Sequence, residues 1–368
     1  MNAPRKLHIA HVICTKKHAG TENYVGRVAA EFHRRGHQIS VISRFPPSRF
    51  VPEGPLTFHV RNWREAAHTL RRIECLDVVN SHGTAADTAA VWGLRQRPTP
   101  LVATHHFNHQ RWSADDGQGT ALLRVLPSRF QRKNGPLRSR MHSFIDDRVD
   151  LEVAVSNFVA SRMARCDRVI PSGVQSQNEL RDIADRRGVV VMLQRLEPHK
   201  ETRLALEAWA RSSARDRGWK LEIYGEGSDH QQLVDFIFDR RLSESVELKG
   251  FCDRPQAVLS EASLLLAPSL LEPFGLTILE AMSFGVPVIA SASGGNSESV
   301  GLASSAALFP PGDIATFANL IDKLTLDEQA RRRISEEQLL LQRSKFSIES
   351  MCDQLEAAYY SALAGKTR

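Results

Sequence analysis

Short apolar runs that alternate with helical patterns constrain the fold of this chain more than any other feature of its sequence. LHIAHVI at 7–13 and VVVML at 189–193 are examples, and neither alternates regularly between apolar and polar residues. Strands of this kind are buried on both faces, which is typical of parallel sheets covered by helices. The pattern therefore predicts an α/β fold built on parallel sheets.

The alternation occurs twice along the chain, which predicts two domains. The predicted strands lie at 7–13, 38–43, 77–81, 101–104 and 151–156, and then at 189–193, 220–225, 245–250, 263–268 and 286–291. A chain of 368 residues also exceeds the usual size of a single hydrophobic core. We expect two doubly wound domains, 1–172 and 173–345, and a C-terminal helix within 346–368 that packs back on the first domain.

Composition narrows the class of protein. Apolar residues make up 42% of the chain and charged residues 24%, as in ordinary soluble globular proteins. The five cysteines are scattered singly, which argues against a disulfide framework and against a zinc site. No apolar run approaches the roughly 20 residues that span a bilayer. The composition thus favours a cytoplasmic protein, which could still rest on the inner face of the membrane.

One stretch, LEPFGLTILEAMSFGVPVIASASGG at 271–295, places two glutamates eight positions apart around a glycine turn. Gly275 allows the backbone to approach a ligand, and the amides of 275–277 lie at a predicted helix N-terminus, which favours a phosphate. Glu280 is expected on the first turn or so of that helix, where it can accept from sugar or ribose hydroxyls, and Glu272 precedes the turn. The alternative for Glu280 is a first-turn charge that the helix dipole favours.

Several motifs in the second half resemble those of one enzyme family. EPFGLTILEAMSFGVPVIAS, followed by GGNSESV at 294–300, resembles the E-x7-E signature of retaining, nucleotide-sugar-dependent glycosyltransferases of group 1. VVVMLQRLEPHKETRLALEAWA at 189–210 is similar to the strand, Gly-Arg-x-x-x-x-Lys and helix element of that family. LEIYGEGSDHQQL at 221–233 resembles its Gly-x-Gly turn, and FPPGD at 309–313 its Pro-Gly-Asp turn.

The first half carries two further motifs of the same family. HAGTENYV at 18–25 resembles its glycine-rich acceptor-side loop, although Ala19 replaces one glycine. LVATHHF at 101–107 resembles its strand that ends in a site histidine. Because several motifs agree in order along nearly the whole chain, the resemblance is more specific than any single motif.

The resemblance implies a GT-B fold, in which two Rossmann-like domains face a central cleft. The N-terminal domain would bind the acceptor and the C-terminal domain the nucleotide sugar. A hexosyl group would be transferred with retention of its anomeric configuration, by front-face attack. The family has no obligatory metal here, and the sequence has no D-x-D triplet to hold one. The resemblance thus implies no metal and no cofactor, with a nucleotide diphosphate sugar as co-substrate.

The resemblance also implies roles for particular residues. Arg195 and Lys200 would neutralise the leaving diphosphate, Glu272 would bind the sugar hydroxyls and Glu280 the ribose. Gln194 stands where the family usually has glycine, and we expect it to crowd the approach to the phosphates. The predicted catalytic residues are His106, Glu272, Arg195 and Lys200; the predicted donor-binding residues are Gly20, Arg195, Lys200, Glu272, Phe274, Gly275, Leu276, Thr277 and Glu280; the predicted acceptor-side residues are Thr21, Glu22, His82 and His105. His105 is the alternative to His106 as the site histidine.

A basic stretch, 124–148, contains seven Lys and Arg against two Asp, and so holds most of the formal net charge of +6. It is either a solvated surface loop or a surface that attracts an anionic acceptor or an anionic membrane. Nucleic acid is a disfavoured partner, because only Phe130 and Phe144 offer stacking and no binding motif is present. The expected partners are a nucleotide sugar, a glycan or lipid-linked acceptor and, peripherally, an anionic membrane.

Other function classes remain open on the sequence alone. A GT-B nucleotide-sugar epimerase would share the architecture but would release a sugar isomer without any acceptor. A non-catalytic nucleotide-sugar-binding protein is discouraged by the presence of Arg195, Lys200, Glu272 and Glu280. A nicotinamide dehydrogenase is disfavoured because no G-x-G-x-x-G follows the first strand.

Overall fold

The computed structural model describes residues 5–15, 20–106, 144–145, 147–186 and 188–366. The chain divides into two compact units. Unit 1 consists of Met1–Ser172 and Met351–Arg368, and unit 2 of Gly173–Ser350. Each unit contains one parallel sheet.

The sheet of unit 1 has seven strands in the order β3-β2-β1-β4-β5-β6-β7, and neighbouring strands run parallel. These strands are β1 His8–Ile13, β2 Gln38–Ser43, β3 Leu56–His59, β4 Val78–His82, β5 Leu101–His105, β6 Leu151–Ala154 and β7 Arg168–Val169. β1 is buried along its whole length, and its last residue, Ile13, pairs with Ser43 of β2 and His82 of β4. The strand order reverses between β1 and β4, and ligands of such sheets bind beyond the carboxyl ends of the strands at that point.

Two helices of unit 1 begin at a polar residue whose side chain caps the helix. The helices of this unit are α1 Gly20–Arg34, α2 Trp63–Arg72, α3 Thr84–Gly93, α4 Asn157–Ala160 and most of α12 Ile348–Lys366, numbered along the described residues. Asn62 caps α2 by accepting hydrogen bonds from two backbone N–H groups. Ser156 caps α4 by accepting from the N–H of Val159 at 3.0 Å.

The C-terminal helix α12 is attached to unit 1 by buried and charged contacts. Asn80 of β4 donates to the hydroxyl of Tyr359 at 2.6 Å, and the tyrosine is fully buried. Arg35, just after α1, donates to Asp353 at 2.7 Å and to Glu356 at 3.1 Å. The chain thus returns to its first unit after completing the second.

The sheet of unit 2 has six parallel strands in the order β10-β9-β8-β11-β12-β13. They are β8 Val189–Leu193, β9 Lys220–Tyr224, β10 Val246–Gly250, β11 Leu264–Ala267, β12 Val288–Ser291 and β13 Ala307–Phe309. Its order reverses between β8 and β11, so the loops that follow these two strands flank the expected ligand site of the sheet.

Seven helices cover the described part of unit 2 before α12 begins. They are α5 Thr202–Arg211, α6 His230–Asp239, α7 Pro255–Glu261, α8 Leu276–Ser283, α9 Asn296–Ser299, α10 Ile314–Leu326 and α11 Glu328–Lys345. Asp313 and Asp327 cap α10 and α11 through their carboxylates. Trp209 is fully buried in the core, where the rings of Phe309 and Phe317 stack 4.0 Å apart.

The predicted α/β fold with two doubly wound parallel sheets is confirmed. Three strands, β3, β7 and β13, were not predicted, because each has only two to four residues and shows no extended apolar run. Within the part of the chain that the structure describes, no helix is both long enough and apolar enough to cross a bilayer.

Candidate active site

In unit 2, the carboxyl ends of β8 and β11 bring two predicted site residues into contact. Lys200 follows β8 and Glu272 follows β11, and Lys200 Nζ lies 2.7 Å from Glu272 Oε2. Their side chains are only 16% and 18% exposed, so the ion pair is partly shielded from water. The same two loops are joined again where the N–H of Leu270 donates to the carbonyl of His199 at 3.1 Å. The predicted diphosphate cation and the predicted sugar-binding carboxylate are therefore neighbours at the point where the strand order reverses.

The loop that carries Lys200 is braced by Gln194, the residue that departs from the family pattern. Its side-chain amide donates to the carbonyl of Lys200 and to the hydroxyl of Thr202, each at 3.0 Å. The amide thus folds back on its own loop. The expected crowding of the phosphates by this side chain stays a prediction. Arg195, the next residue, is exposed.

The Gly-x-Gly turn after β9 packs its backbone against the same loop. A Cβ on Gly225 would lie 1.8 Å from the carbonyl oxygen of Gln194, and one on Gly227 would lie 2.1 Å from that of Leu196. The N–H of Leu196 also donates to the carbonyl of Glu226 at 2.9 Å. The turn needs both glycines because no side chain fits between the two backbones.

The loop that carries Glu272 is held by the Gly-Gly pair after β12. The N–H of Gly295 donates to the carbonyl of Glu272 at 2.7 Å. A Cβ on Gly294 would lie 2.4 Å from that carbonyl oxygen, and the backbone of Gly294 has a φ of 57°, which favours glycine. Lys200 and Glu272 thus stand on loops that are both fixed by backbone packing against a neighbouring glycine turn.

The remaining predicted donor residues surround the start of α8. Gly275 has a φ of 81°, and a Cβ there would lie 2.9 Å from the side chain of Ile278. The backbone therefore requires glycine at this position whether or not a ligand binds there. Leu276 and Thr277 form the first turn and are half-buried. Glu280 is the fifth residue of α8 and lies at the start of the second turn, in keeping with its expected place on the first turn or so of the helix.

Phe274 does not offer its side chain to a ligand. Its ring is 3% exposed and packs edge-on against Phe346, with the ring centroids 5.4 Å apart. This corrects the prediction for that residue, because only its backbone remains able to contact a donor.

In unit 1, the corresponding edge of the sheet holds three histidines in a row. His11 of β1 lies with its Nδ1 3.1 Å from Nε2 of His82, the last residue of β4. His82 Nδ1 lies in turn 3.0 Å from Nε2 of His106, directly after β5. Tyr24 of α1 packs edge-on against the ring of His106, with centroids 4.5 Å apart. We call this row the histidine relay.

The relay histidines are held in their neutral form by their surroundings. Burial lowers the pKa of His11 to about 4 and that of His106 to about 3, although part of His106 reaches the surface. The pKa of His82 is lowered well below its usual value by burial and by the neighbouring histidines. At neutral pH this edge therefore presents hydrogen-bonding imidazoles without a positive charge.

His11 and Tyr24 were not singled out from the sequence. The available signal was a pair of histidines inside a mostly apolar strand, at the second and fifth positions of LHIAHVI, of which the fifth is His11. A buried polar side chain needs a hydrogen-bond partner, but the sequence does not indicate which distant residue supplies it.

The other predicted residues of unit 1 lie around the relay but have different partners. His105 points to Glu152 of β6, with Nε2 3.6 Å from Oε2, and both side chains are buried. Glu22, on the first turn of α1, is fully buried and accepts a hydrogen bond from the hydroxyl of Thr15. Thr21 is also buried, and Gly20 is exposed at the start of the helix.

The basic stretch 124–148 falls mostly outside the described residues, which leave out 107–143 and 146. At its end, the guanidinium of Arg148 lies 4.6 Å from the centre of the Phe144 ring.

Two family models and several curated relatives match this chain. Residues 176–339 match the model described as "Glycosyl transferases group 1", and residues 18–178 match "Glycosyltransferase Family 4". An exopolysaccharide phosphotransferase of Streptomyces coelicolor is 32% identical over 48% of this chain and 18% of its own length. A poly(ribitol-phosphate) alpha-N-acetylglucosaminyltransferase of Staphylococcus aureus is 34% identical over 50% of this chain and 35% of its own length. The match thus spans well under half of either relative.

A solved structure shares the architecture over nearly the whole chain. The crystal structure of Anabaena HepE in complex with UDP and glucose superposes with a TM-score of 0.71 and 19% identity, and covers 96% of this chain and 100% of that protein. At this identity the similarity shows the fold. The two family models together span 18–339 and show that the chain belongs to the group 1 glycosyltransferases, and the solved structure shows that it has their GT-B fold.

Proposed function

We propose that this protein transfers a sugar from a nucleotide diphosphate sugar to a hydroxyl group of an acceptor. The observation that carries the proposal is the contact between Lys200 and Glu272 at the reversal point of the unit 2 sheet. A cation beside a carboxylate matches a ligand in which an anionic diphosphate adjoins a neutral polyhydroxyl ring. The group 1 family model covers both residues.

The donor would replace the contact that each partner now makes with the other. Negative charge builds on the β-phosphate as the anomeric bond breaks, and Lys200 supplies a point charge there. Arg195, exposed on the same loop, adds a guanidinium that can bind two phosphate oxygens. Glu272 is then free to accept hydrogen bonds from sugar hydroxyls. The backbone amides at the start of α8 would bind phosphate, and Glu280 would accept from the ribose.

We further propose that transfer retains the anomeric configuration and needs no metal. The acceptor oxygen forms its bond to the anomeric carbon on the face that the phosphate leaves. Its proton passes to the departing phosphate oxygen, so the two groups exchange places without a covalent enzyme intermediate. Lys200 and Arg195 supply the positive charge that a metal ion would otherwise bring to the diphosphate.

The acceptor is proposed to be a glycan or a lipid-linked glycan that contacts unit 1. The name of the Staphylococcus aureus relative specifies a poly(ribitol-phosphate) acceptor, and the Anabaena structure contains UDP and glucose. These names support a nucleotide-sugar donor and a polymeric, hydroxyl-rich acceptor. The Streptomyces coelicolor relative brings no phosphotransfer chemistry, because the match covers less than a fifth of it.

The test is a thermal-shift screen of UDP-, GDP- and ADP-sugars, followed by product analysis with the donor that binds. A ligand at 100 times its Kd adds about 2.7 kcal/mol to the free energy of unfolding, which is readily detected. We expect an α-linked product from an α-linked donor, and undiminished turnover in EDTA. An isomerised sugar without acceptor would indicate an epimerase, and loss of turnover in EDTA would refute the metal-free reaction. Stabilisation by no nucleotide sugar would overturn the proposal as a whole.

A further inference from the structure

The histidine relay leaves His106 a single ring nitrogen with which to contact a ligand. Nε2 of His106 is occupied by His82 at 3.0 Å, so Nδ1 is the nitrogen that remains. The ring plane is fixed as well, because Tyr24 packs edge-on against it and the ring of His82 lies 5.2 Å from it, centre to centre. Which role Nδ1 plays, donor or acceptor, depends on the protons of the other two rings.

Only two proton orders satisfy both hydrogen bonds of the relay. A neutral imidazole has one N–H and one lone pair, so each ring that donates through one nitrogen accepts through the other. If His11 donates to His82, then His82 donates to His106, and all three rings are protonated at Nδ1. In the reverse order, all three rings are protonated at Nε2. Any other arrangement sets two N–H groups or two lone pairs against each other across about 3 Å.

His11, the buried end of the relay, favours one of the two proton orders. Nε2 of His11 is buried and has no hydrogen-bond partner among the described residues. In the reverse order this atom would be an N–H donor without an acceptor, which is a rare defect in folded proteins. In the first order, in which all three rings are protonated at Nδ1, Nε2 of His11 carries only a lone pair and has no proton to donate. This order, which we call the forward order, leaves His106 with Nδ1–H, a hydrogen-bond donor.

We propose that His11 and His82 are positioning residues that hold His106 in the Nδ1–H tautomer, so that it donates a hydrogen bond to an oxygen of the transferred sugar or of the acceptor. The tautomer follows from the relay alone, and only the identity of the oxygen rests on the function proposed above. The lowered pKa values of the three rings agree with this assignment, because a neutral relay can carry a single proton order.

The tautomers can be read directly in the full-length protein. Two-bond proton–nitrogen correlation spectra of protein labelled with ¹⁵N-histidine distinguish Nδ1–H from Nε2–H rings. We expect His11, His82 and His106 all to be Nδ1–H, the form that free histidine disfavours. Nε2–H or mixed tautomers in the three rings would overturn the proposal. This measurement needs no substrate, so its outcome is independent of whether the sugar-transfer function is right.

Removal of the His11 imidazole should change the tautomer of His106, two rings away in the relay. In His11→Leu the Nε2 of His82 loses its donor, and we expect His106 to shift from pure Nδ1–H toward a mixture of tautomers. His8→Leu is the matched control, because His8 is a buried histidine of the same strand that bonds to Ser40 at 2.9 Å and not to the relay. An unchanged His106 spectrum in His11→Leu, or an equal change in His8→Leu, would contradict the relay.

Two amide variants of His82 separate positioning from folding. The amide of Asn falls near the position of imidazole Nδ1 and can still donate to His106, whereas that of Gln falls near Nε2 and cannot. We expect His82→Asn to keep kcat within about threefold of the parent, and His82→Gln to lose at least about tenfold, with little change in the donor KM. Equal losses in two variants of equal melting temperature would show that His82 matters only for packing.

Discussion

The carboxyl edges of the two sheets share a topology but differ in charge. In each sheet the second and third strands lie on one side of the first strand and the fourth strand lies on its other side, which creates the same reversal point. At that point unit 1 carries the neutral imidazoles of His11, His82 and His106, because burial lowers their pKa values. Unit 2 fills it with the Lys200–Glu272 ion pair. One architecture thus supports two different kinds of chemistry.

The difference matches the two tasks that a glycosyl transfer divides between donor and acceptor. A leaving diphosphate requires fixed positive charge, which unit 2 holds on loops braced by Gln194 and by the Gly-Gly pair. An incoming acceptor hydroxyl requires a directed hydrogen bond from a group that carries no charge. The neutral imidazole of His106 in unit 1 can supply that hydrogen bond. The topology fixes where the loops emerge, and the residues on them fix what each edge binds.

The largest effect is expected when the positive charge of Lys200 is removed from the unit 2 site. We expect Lys200→Ala to lower kcat by at least about a hundredfold, because a pre-organised cation in a water-poor site stabilises the leaving phosphate. Lys249→Ala is the matched control, since Lys249 is an ion-paired lysine of the same unit, 2.7 Å from Glu247 on β10. Single-turnover kinetics would measure both variants. A kcat near that of the parent in Lys200→Ala would remove this lysine from the mechanism.

A smaller effect is expected when the neutral edge is altered. His106→Ala should lower turnover by about tenfold or more while the free nucleotide binds with unchanged affinity, because a positioned hydrogen-bond donor is lost and the diphosphate residues remain. Calorimetric titration with the nucleotide and initial rates with the donor sugar would separate the two effects. His105→Ala is the comparison, because His105 faces Glu152 instead of the relay. Greater damage from His105→Ala would exchange the roles of the two histidines.

The neutral edge should also make stability depend on pH. The folded pKa values of His11, about 4, and His106, about 3, lie below the usual 6.5, so the unfolded chain binds more protons as pH falls from about 6.5. Stability is therefore fully present above pH 6.5 and declines toward pH 4, by at most about 1.4 kcal/mol per pH unit for each histidine. Urea unfolding at pH 7 and pH 5 would measure the slope. His82→Leu removes one titrating ring and should make the slope shallower; an equal or steeper slope would contradict the assignment.

The sequence predicted more of the charged edge than of the neutral one, and the reason is physical. Lys200 and Glu272 lie in motifs with fixed local spacing, so both could be named, although their mutual contact spans 72 positions and could not. The relay depends on His11 and His82, which are 71 positions apart and carry no local motif that joins them. Phe274 lies within the recognised motif, but its burial depends on packing against the distant Phe346.

The weakest expected effect concerns charge outside both edges. The basic stretch 124–148 lies in sequence between β5 and β6, so its cations belong to the segment that joins two strands of unit 1. Each Lys or Arg near an anionic membrane contributes about 1 kcal/mol, and salt screens the attraction.

We therefore expect the protein to float with vesicles that contain phosphatidylserine at low ionic strength and to detach as salt is added. Arg132→Glu with Lys133→Glu should weaken flotation, whereas Arg240→Glu with Arg241→Glu in unit 2 should not, although both pairs change the net charge equally. If both pairs weaken flotation alike, net charge and not this stretch drives the attraction. Equal flotation with neutral and anionic vesicles, or none with either, would favour a soluble acceptor. In that case the two units differ in function only at the carboxyl edges of their sheets, because the basic stretch of unit 1 would bind no membrane.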